Sequence, residues 1–291
     1  MVAVVRSKSQ SAMEYLMTYG WAILIIAIVL GALFQLGVFN GQNFAPKAPP
    51  GACQVFRPNG PGSTLDINLE GECQGELPEY VAQFNGQTST INIPDSGSLS
   101  PNQSMTITVW VYMSSISSNW GELSWKQSNN RAWWFGFYPN SASDILWSID
   151  GDNGCNVVSA LDSWQFIAVT FNSTSGKAWY NNGGSSPVCS VSMTNTIPGT
   201  STGTPIYIGG TTWAPITGYM ANMQIYNVSL NANEIRSLYL EGIGGAPIDP
   251  YYVAGWWPLN GNANDYSGNG NNGQATGVSY TNSWTSGYSA P

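Results

Sequence analysis

Two periodicities divide this chain. From Tyr15 to Phe39 there is no charge, and Trp21-Ala22-Ile23-Leu24-Ile25-Ile26-Ala27-Ile28-Val29-Leu30 is apolar all round. A run this long matches a helix able to cross a hydrocarbon layer of ~30 Å. Asn40 to Pro50 reads as a linker rich in Asn, Gly and Pro. Beyond it the period is two. Met105, Ile107, Val109, Val111 and Met113 share one face of a strand, with Thr106, Thr108, Trp110 and Tyr112 on the other. Trp164 to Phe171, Pro205 to Ile208 and Met223 to Tyr226 are further strands between Gly, Asn and Ser turns, the pattern of a β-sandwich. One helix interrupts them, with Asn231 and Glu234 placed for a capping box and Ile235, Leu238 and Tyr239 facing inward.

Charge then orients the chain. Arg6 and Lys8 precede the apolar run, and the first nine residues contain no acid. The positive-inside bias places the N-terminus in the cytoplasm and everything after Phe39 outside. The run is too long for an ordinary secretory signal, and Asn40 to Ala45 make a poor cleavage site.

These N-terminal residues resemble an archaeal class III signal peptide, the prepilin type, from about Lys8 to Phe39. The resemblance implies cleavage by a prepilin peptidase between Ser9 and Gln10, which makes Glu14 the fifth residue of the mature chain. A charged α-amino group next to an apolar zone is costly unless paired. The family pattern implies that Glu14 neutralises the Gln10 amine of a neighbouring subunit and sets its register in a filament. The alternative is a membrane-boundary acid on a chain that anchors without polymerising.

Composition narrows the partners. Charged residues are 8% of the chain, against about 25% in an average globular protein, and the net charge is −8. No basic patch offers itself to nucleic acid. There is no histidine, which removes His-based triads and His metal sites. Cys53, Cys73, Cys155 and Cys189 all follow the apolar run, on the oxidising side. Of the three pairings that four cysteines allow, Cys53–Cys73 and Cys155–Cys189 are favoured because each brackets a plausible hairpin. Asn102, Asn172 and Asn227 head N-x-S/T sequons and are candidates for glycosylation in an exterior domain.

Phe84-Asn85-Gly86, Ile91 to Pro94, Met105 to Val111, Trp164 to Phe171, Trp179 to Gly183, Gly218 to Tyr226 and the helix at Leu230 to Tyr239 form an ordered series. It resembles a laminin-G-like, concanavalin-A-like jelly roll. Trp256 to Gly273 resembles the opening of such a module but stands near the C-terminus. The expected fold is mainly β: a long N-terminal hydrophobic helix followed by a two-sheet antiparallel β-sandwich, a circularly permuted concanavalin-A-like jelly roll; the alternative for the C-terminal segment is a truncated second domain, which could not bury a core alone. The expected domains are a leader at 1–9, the helix at 10–40 and a linker with a Cys-bracketed hairpin at 41–79. The jelly roll follows at 80–291, with 253–280 completing the sandwich.

Candidate chemistry is sparse. Related glucanases use closely spaced carboxylates on one strand, and no such alternating cluster occurs here, which argues against a hydrolase. Asp265 and Asn269, in a Gly-rich loop, offer hard oxygens for calcium; the alternative is a hydrogen-bonded loop. Relatives often add an acid near Gly218 to Tyr226, where this chain has Ala221-Asn222 instead. Trp213 is a candidate sugar-stacking residue, with a core or rim role as the alternative. The reading is a structural subunit of an archaeal type IV pilus-like surface filament. It displays a lectin-like domain outside the cell, adhesive toward surface glycans. The alternative is a non-polymerising, membrane-anchored carbohydrate-binding protein.

Overall fold

The computed structural model describes residues 9–35, 77–101, 103–115, 121–126, 133–137, 145–148, 161–192, 203–210 and 215–291. The chain divides into two compact units. In the first, helix α1 runs Ser9–Gln35, 27 residues. Its side chains are described at Met17, Tyr19 to Ala32 and Gln35, and all of these are exposed. Among the described residues no helix is long and apolar enough to cross a membrane. The expectation of a transmembrane helix therefore finds no support there.

The second unit contains fourteen described strands. In chain order they are β1 (Val81–Asn85), β2 (Thr90–Ile93), β3 (Ser104–Ser115), β4 (Gly121–Lys126), β5 (Trp133–Phe137), β6 (Ile145–Ser148) and β7 (Trp164–Asn172). Then come β8 (Gly176–Asn181), β9 (Cys189–Val191), β10 (Ile206–Ile208), β11 (Thr217–Tyr226), β12 (Val253–Trp257), β13 (Gln274–Thr276) and β14 (Ser279–Thr281). Helix α2 (Ala232–Leu240) lies between β11 and β12.

An eight-stranded sheet has the order β14-β1-β11-β3-β7-β8-β9, with β12 also paired to β11. A six-stranded sheet has the order β13-β2-β10-β4-β5-β6. All their pairings are antiparallel. Ile107, Val109 and Val169 from one sheet meet Ile91, Phe135 and Ile208 from the other in one buried core. Period-two alternation is what lets one strand serve that core with half its residues. β3 divides as its sequence predicts. Met105, Ile107, Val109, Val111 and Met113 enter the core between the sheets, while Trp110 belongs to a second cluster on the opposite face.

That second cluster explains why both faces of β3 are buried. Ile235 and Leu238 of α2 cover Trp110, Phe166 and Ala168. The Tyr239 ring stacks on Trp110 at 5.7 Å. The capping box forms: Asn231 Oδ1 accepts from the Asn233 and Glu234 amides at 2.9 and 3.2 Å, and Glu234 Oε2 accepts from the Asn231 amide at 2.6 Å. The C-terminal tail completes the cover. Trp164 Nε1 donates to the Trp284 carbonyl at 2.8 Å, and Trp284 Nε1 donates to the Pro78 carbonyl at 3.1 Å.

The last 40 residues feed both sheets. β12 lies along β11, β14 along β1 and β13 along β2. The strand that leaves last in sequence thus neighbours the strand that enters first.

Candidate functional site

α2 and the tail lie over the eight-stranded sheet; on the outward face of the six-stranded sheet Asn92, Tyr207 and Trp125 are partly exposed, whereas Trp134 is buried. Strand alternation assigns that face. Ile91 and Ile93 of β2, Ile206 and Ile208 of β10, and Trp133, Phe135 and Phe137 of β5 enter the core. Asn92, Tyr207 and Trp134 between them therefore point outward. On β4, the irregularity between Glu122 and Ser124 shifts the alternation. It leaves Trp125 opposite Tyr207 on one side and Trp134 on the other.

One transverse row results: Gln274, Asn92, Tyr207, Trp125 and Trp134, each paired with the next. At about 4.8 Å between strands the row is about 19 Å long. It is polar at one end and aromatic at the other. Trp125 and Tyr207 are partly exposed, with ring centroids 5.7 Å apart and planes 38° from parallel. The Trp125 Nε1 donor is buried and has no hydrogen-bond partner. An unpaired buried donor costs about 1–3 kcal/mol.

Trp134 is held in place. Its Nε1 donates to Glu122 Oε1 at 2.9 Å. Gly136, the next outward position on β5, has no Cβ; one built there would first clash with the Gly121 carbonyl oxygen of β4, and would lie 3.0 Å from the Glu122 Cα and from Trp134 Cζ2. The missing side chain lets the β4 backbone approach and also leaves room for the indole beside Glu122.

On the described strands of this sheet the one basic residue turns away from the row. Lys126, 2% exposed, donates to Asp95 Oδ1 at 2.6 Å, to the Leu99 carbonyl at 2.8 Å and to Ser100 Oγ at 2.8 Å. Asp95 Oδ2 also accepts from the Gly203 amide at 2.5 Å. Burial by itself raises the Asp95 pKa, but the Lys126 hydrogen bond, the Gly203 amide and the Lys126 charge outweigh it and leave the carboxyl below its ordinary value.

Asp265 is placed as a clasp. Its Oδ1 accepts from the Trp256 amide at 3.0 Å and the Ser267 amide at 2.8 Å, and its Oδ2 from the Asn271 amide at 2.8 Å. Asn269 Nδ2 donates to the carbonyls of Val253 and Ala254 at 2.9 and 3.2 Å, and to Ser267 Oγ at 3.1 Å. Three N–H dipoles thus converge on the carboxylate, and loop closure accounts for both side chains. No group of three or more His, Cys, Asp or Glu that could hold a metal occurs among the described residues.

The remaining expected site residues are scattered. Ser9, Gln10 and Glu14 lie on α1, whose side chains at those positions are outside the described residues. Trp213, Asn102, Cys53, Cys73 and Cys155 also lie outside them. Cys189 of β9 is half of a disulfide; its partner is among the residues not described. Asn172 Oδ1 accepts from the Thr174 amide at 2.9 Å and from Thr174 Oγ1 at 2.6 Å, and Asn227 is exposed. The Tyr207–Trp125–Trp134 row was not singled out from sequence. Its one advance signal was the aromatic at each of three short strands, without any indication of their register.

Two antiparallel sheets packed face to face in this order fit a jelly roll. The chain belongs to the concanavalin A-like lectin/glucanases superfamily, whose laminin-G-type family model matches residues 85–236. A candidate carbohydrate-binding protein from Bacteroides ovatus shares the fold at 16% identity and a TM-score of 0.54, over 70% of this chain and 60% of that one. This chain thus spans less than two thirds of that protein. The heptameric SAP-like pentraxin of Limulus polyphemus aligns at 14% identity and 0.49, over 72% and 95%. Domain 4 of an extracellular arabinanase from Geobacillus stearothermophilus, solved with arabinotriose, aligns at 14% and 0.45, over 54% and 75%. A search of curated proteins finds no match.

Proposed function

We propose that the sandwich is a glycan-binding module and that its ligand lies across the Tyr207–Trp125–Trp134 row. The carrying observation is the register that sets these three rings side by side on the sheet face not covered by α2 and the tail. Aromatic rings offer flat apolar surface to the C–H faces of a sugar, and Asn92 and Gln274 offer donors and acceptors to its hydroxyls. Membership of a lectin/glucanase superfamily supports the reading. Hydrolysis by the usual two-carboxylate route needs a pair, and Glu122 is the one acid on the described strands of this sheet. Binding without cleavage is therefore the reading. Trp125→Ala and Tyr207→Ala should each weaken glycan binding about tenfold or more, which is at least ~1.4 kcal/mol. Unchanged affinity in both would overturn it.

For the N-terminal segment we propose a prepilin-type role: cleavage at Ser9–Gln10, then assembly through Glu14 and Gln10 into a surface filament that displays the module. Arg6, Lys8, the position of Glu14 and the exposed apolar side chains of α1 support this. Glu14→Ala should abolish filaments while the protein is still made and processed; filaments of normal yield would sink the assembly role. The order of strands is read as a circular permutation of the jelly roll. Calcium at Asp265 and Asn269 is a weaker proposal, since the loop's own amides already fill that carboxylate. A thermal shift on adding calcium that disappears in Asn269→Ala would favour it.

A further inference from the structure

We infer that the eight-stranded sheet carries a second saccharide site, on a row that α2 and the tail leave partly exposed, so that the module is bivalent; the inference rests on the glycan-binding reading above for its class of ligand. Strand alternation assigns the outward face here too. Ala82, Phe84, Val111, Met113 and Met220 enter the core between the sheets, so Gln83, Tyr112 and Tyr219 point away from it. Pairing register sets Ser279, Gln83, Tyr219, Tyr112 and Trp164 in one transverse row, each beside the next. The order repeats that of the first row, polar on two strands and aromatic on three. The two rows stand on opposite faces of the sandwich.

The rings form a platform with polar groups at both ends. Tyr112 and Tyr219 are partly exposed, with centroids 5.4 Å apart, and Trp164 lies 6.0 Å from Tyr112 and 6.2 Å from Tyr219. The tail covers Trp164 by setting Trp284 edge-on against it at 5.8 Å. It passes Tyr112 with a glycine. A Cβ on Gly287, whose φ is +74°, would press on the Asp162 carbonyl oxygen at 2.7 Å and lie 3.1 Å from Tyr112 Cε2. The tail thus runs close beside this ring without laying a side chain over it. At the aromatic end the exposed Asp162 accepts from the Tyr112 hydroxyl at 3.3 Å, which sets its carboxylate beside the platform. A carboxylate accepts several hydrogen bonds through its two oxygens, which suits neighbouring hydroxyls of one sugar. At the other end Gln83 and Ser279 are exposed, and Ser279 Oγ donates to Gln83 Oε1 at 3.2 Å. From β7 to β1 this spans three strand spacings, about 14 Å, which fits an oligosaccharide better than a single sugar ring. Flat apolar rings meet its C–H faces, and the flanking polar groups meet its hydroxyls.

The full-length protein would be titrated by calorimetry with hexasaccharides of a β-glucan, a mannan and an arabinan, as wild type, Trp125→Ala, Asp162→Asn and the variant carrying both changes. Asp162 has a φ of 57°, which asparagine tolerates, so Asp162→Asn alters the carboxylate and spares the backbone. With at least one hexasaccharide, the expected result is two binding events per chain in wild type, one in each single variant and none in the double. Tyr219→Ala should weaken the second event about tenfold or more, and Tyr219→Phe, which keeps the ring, should retain most of it. A single event that is lost in Trp125→Ala and untouched by Asp162→Asn and Tyr219→Ala would overturn the second site and leave the first reading standing. A single event lost in Asp162→Asn and Tyr219→Ala but untouched by Trp125→Ala would do the reverse. No binding of any of the three would overturn both.

Discussion

Trp134, Glu122 and Gly136 form one unit at the residue scale. The carboxylate holds the indole, and the absent Cβ leaves room for it. Gly136→Ala should push the β4 backbone at Gly121 and Glu122 away and crowd Trp134. Its cost should fall in the range of core overpacking, about 1–3 kcal/mol, read as a lowered Tm with weakened glycan binding. The Lys126–Asp95 pair makes a different prediction, one of pH. The folded Asp95 carboxyl titrates below its ordinary value. Its contribution is therefore present above the unfolded pKa and is lost as pH falls through the folded one. Wild-type stability should decline below about pH 4. Asp95→Asn should lose much of that dependence and be less stable at neutral pH, by about 3–5 kcal/mol, because Lys126 is left buried without its counter-charge. Urea midpoints from acid to neutral pH check both statements; a pH dependence identical to wild type would contradict the assignment.

At the element scale, α2 is specified locally and docked globally. Asn231→Ala removes an acceptor for two amides and should cost about 1 kcal/mol, measured by denaturant unfolding. Local signals of this kind were legible in the sequence. The alternation of β3 and β7, the capping box and the inward face of α2 all follow from spacing within one element. The aromatic row did not. Trp125 and Trp134 lie on consecutive strands but Tyr207 is far from both in sequence, and two of the three strands are only three and five residues long. Such short strands show little periodicity, and the irregularity in β4 shifts what there is. Only the pairing register aligns the rings, and register is a tertiary property. Trp213 drew attention as a loop aromatic for want of that information. Asp265 was ambiguous for another reason: a Gly-rich loop with an acid suits either a cation or a clasp, and the sequence does not show the three amides that converge on its carboxylate.

For the whole molecule, the C-terminal strands are not an appendage. β12, β13 and β14 pair with β11, β2 and β1, and Trp257 and Leu259 are fully buried in the core. Deleting residues 250–291 removes strands from both sheets and uncovers Trp164. The truncated chain should fail to give a cooperative unfolding transition, as followed by near-UV circular dichroism. A soluble truncation with native dispersion would show that the remaining strands suffice. The resemblance of Trp256 to Gly273 to a module opening made this use of the C-terminus readable, though which sheet each strand joins was not.

The central claim, that sugar is bound on the outward face of the six-stranded sheet, is tested most directly by the indole N–H resonances of the full chain titrated with a bound polysaccharide. Trp125→Phe assigns the Trp125 signal. Trp125 Nε1 is unpaired on that face, whereas Trp110 Nε1 is unpaired beneath α2 and the tail and serves as the internal control. The account predicts that the Trp125 resonance shifts in a saturable way while that of Trp110 stays put. A Trp125 resonance that does not move, with shifts confined to other indoles, would place the ligand elsewhere and contradict it.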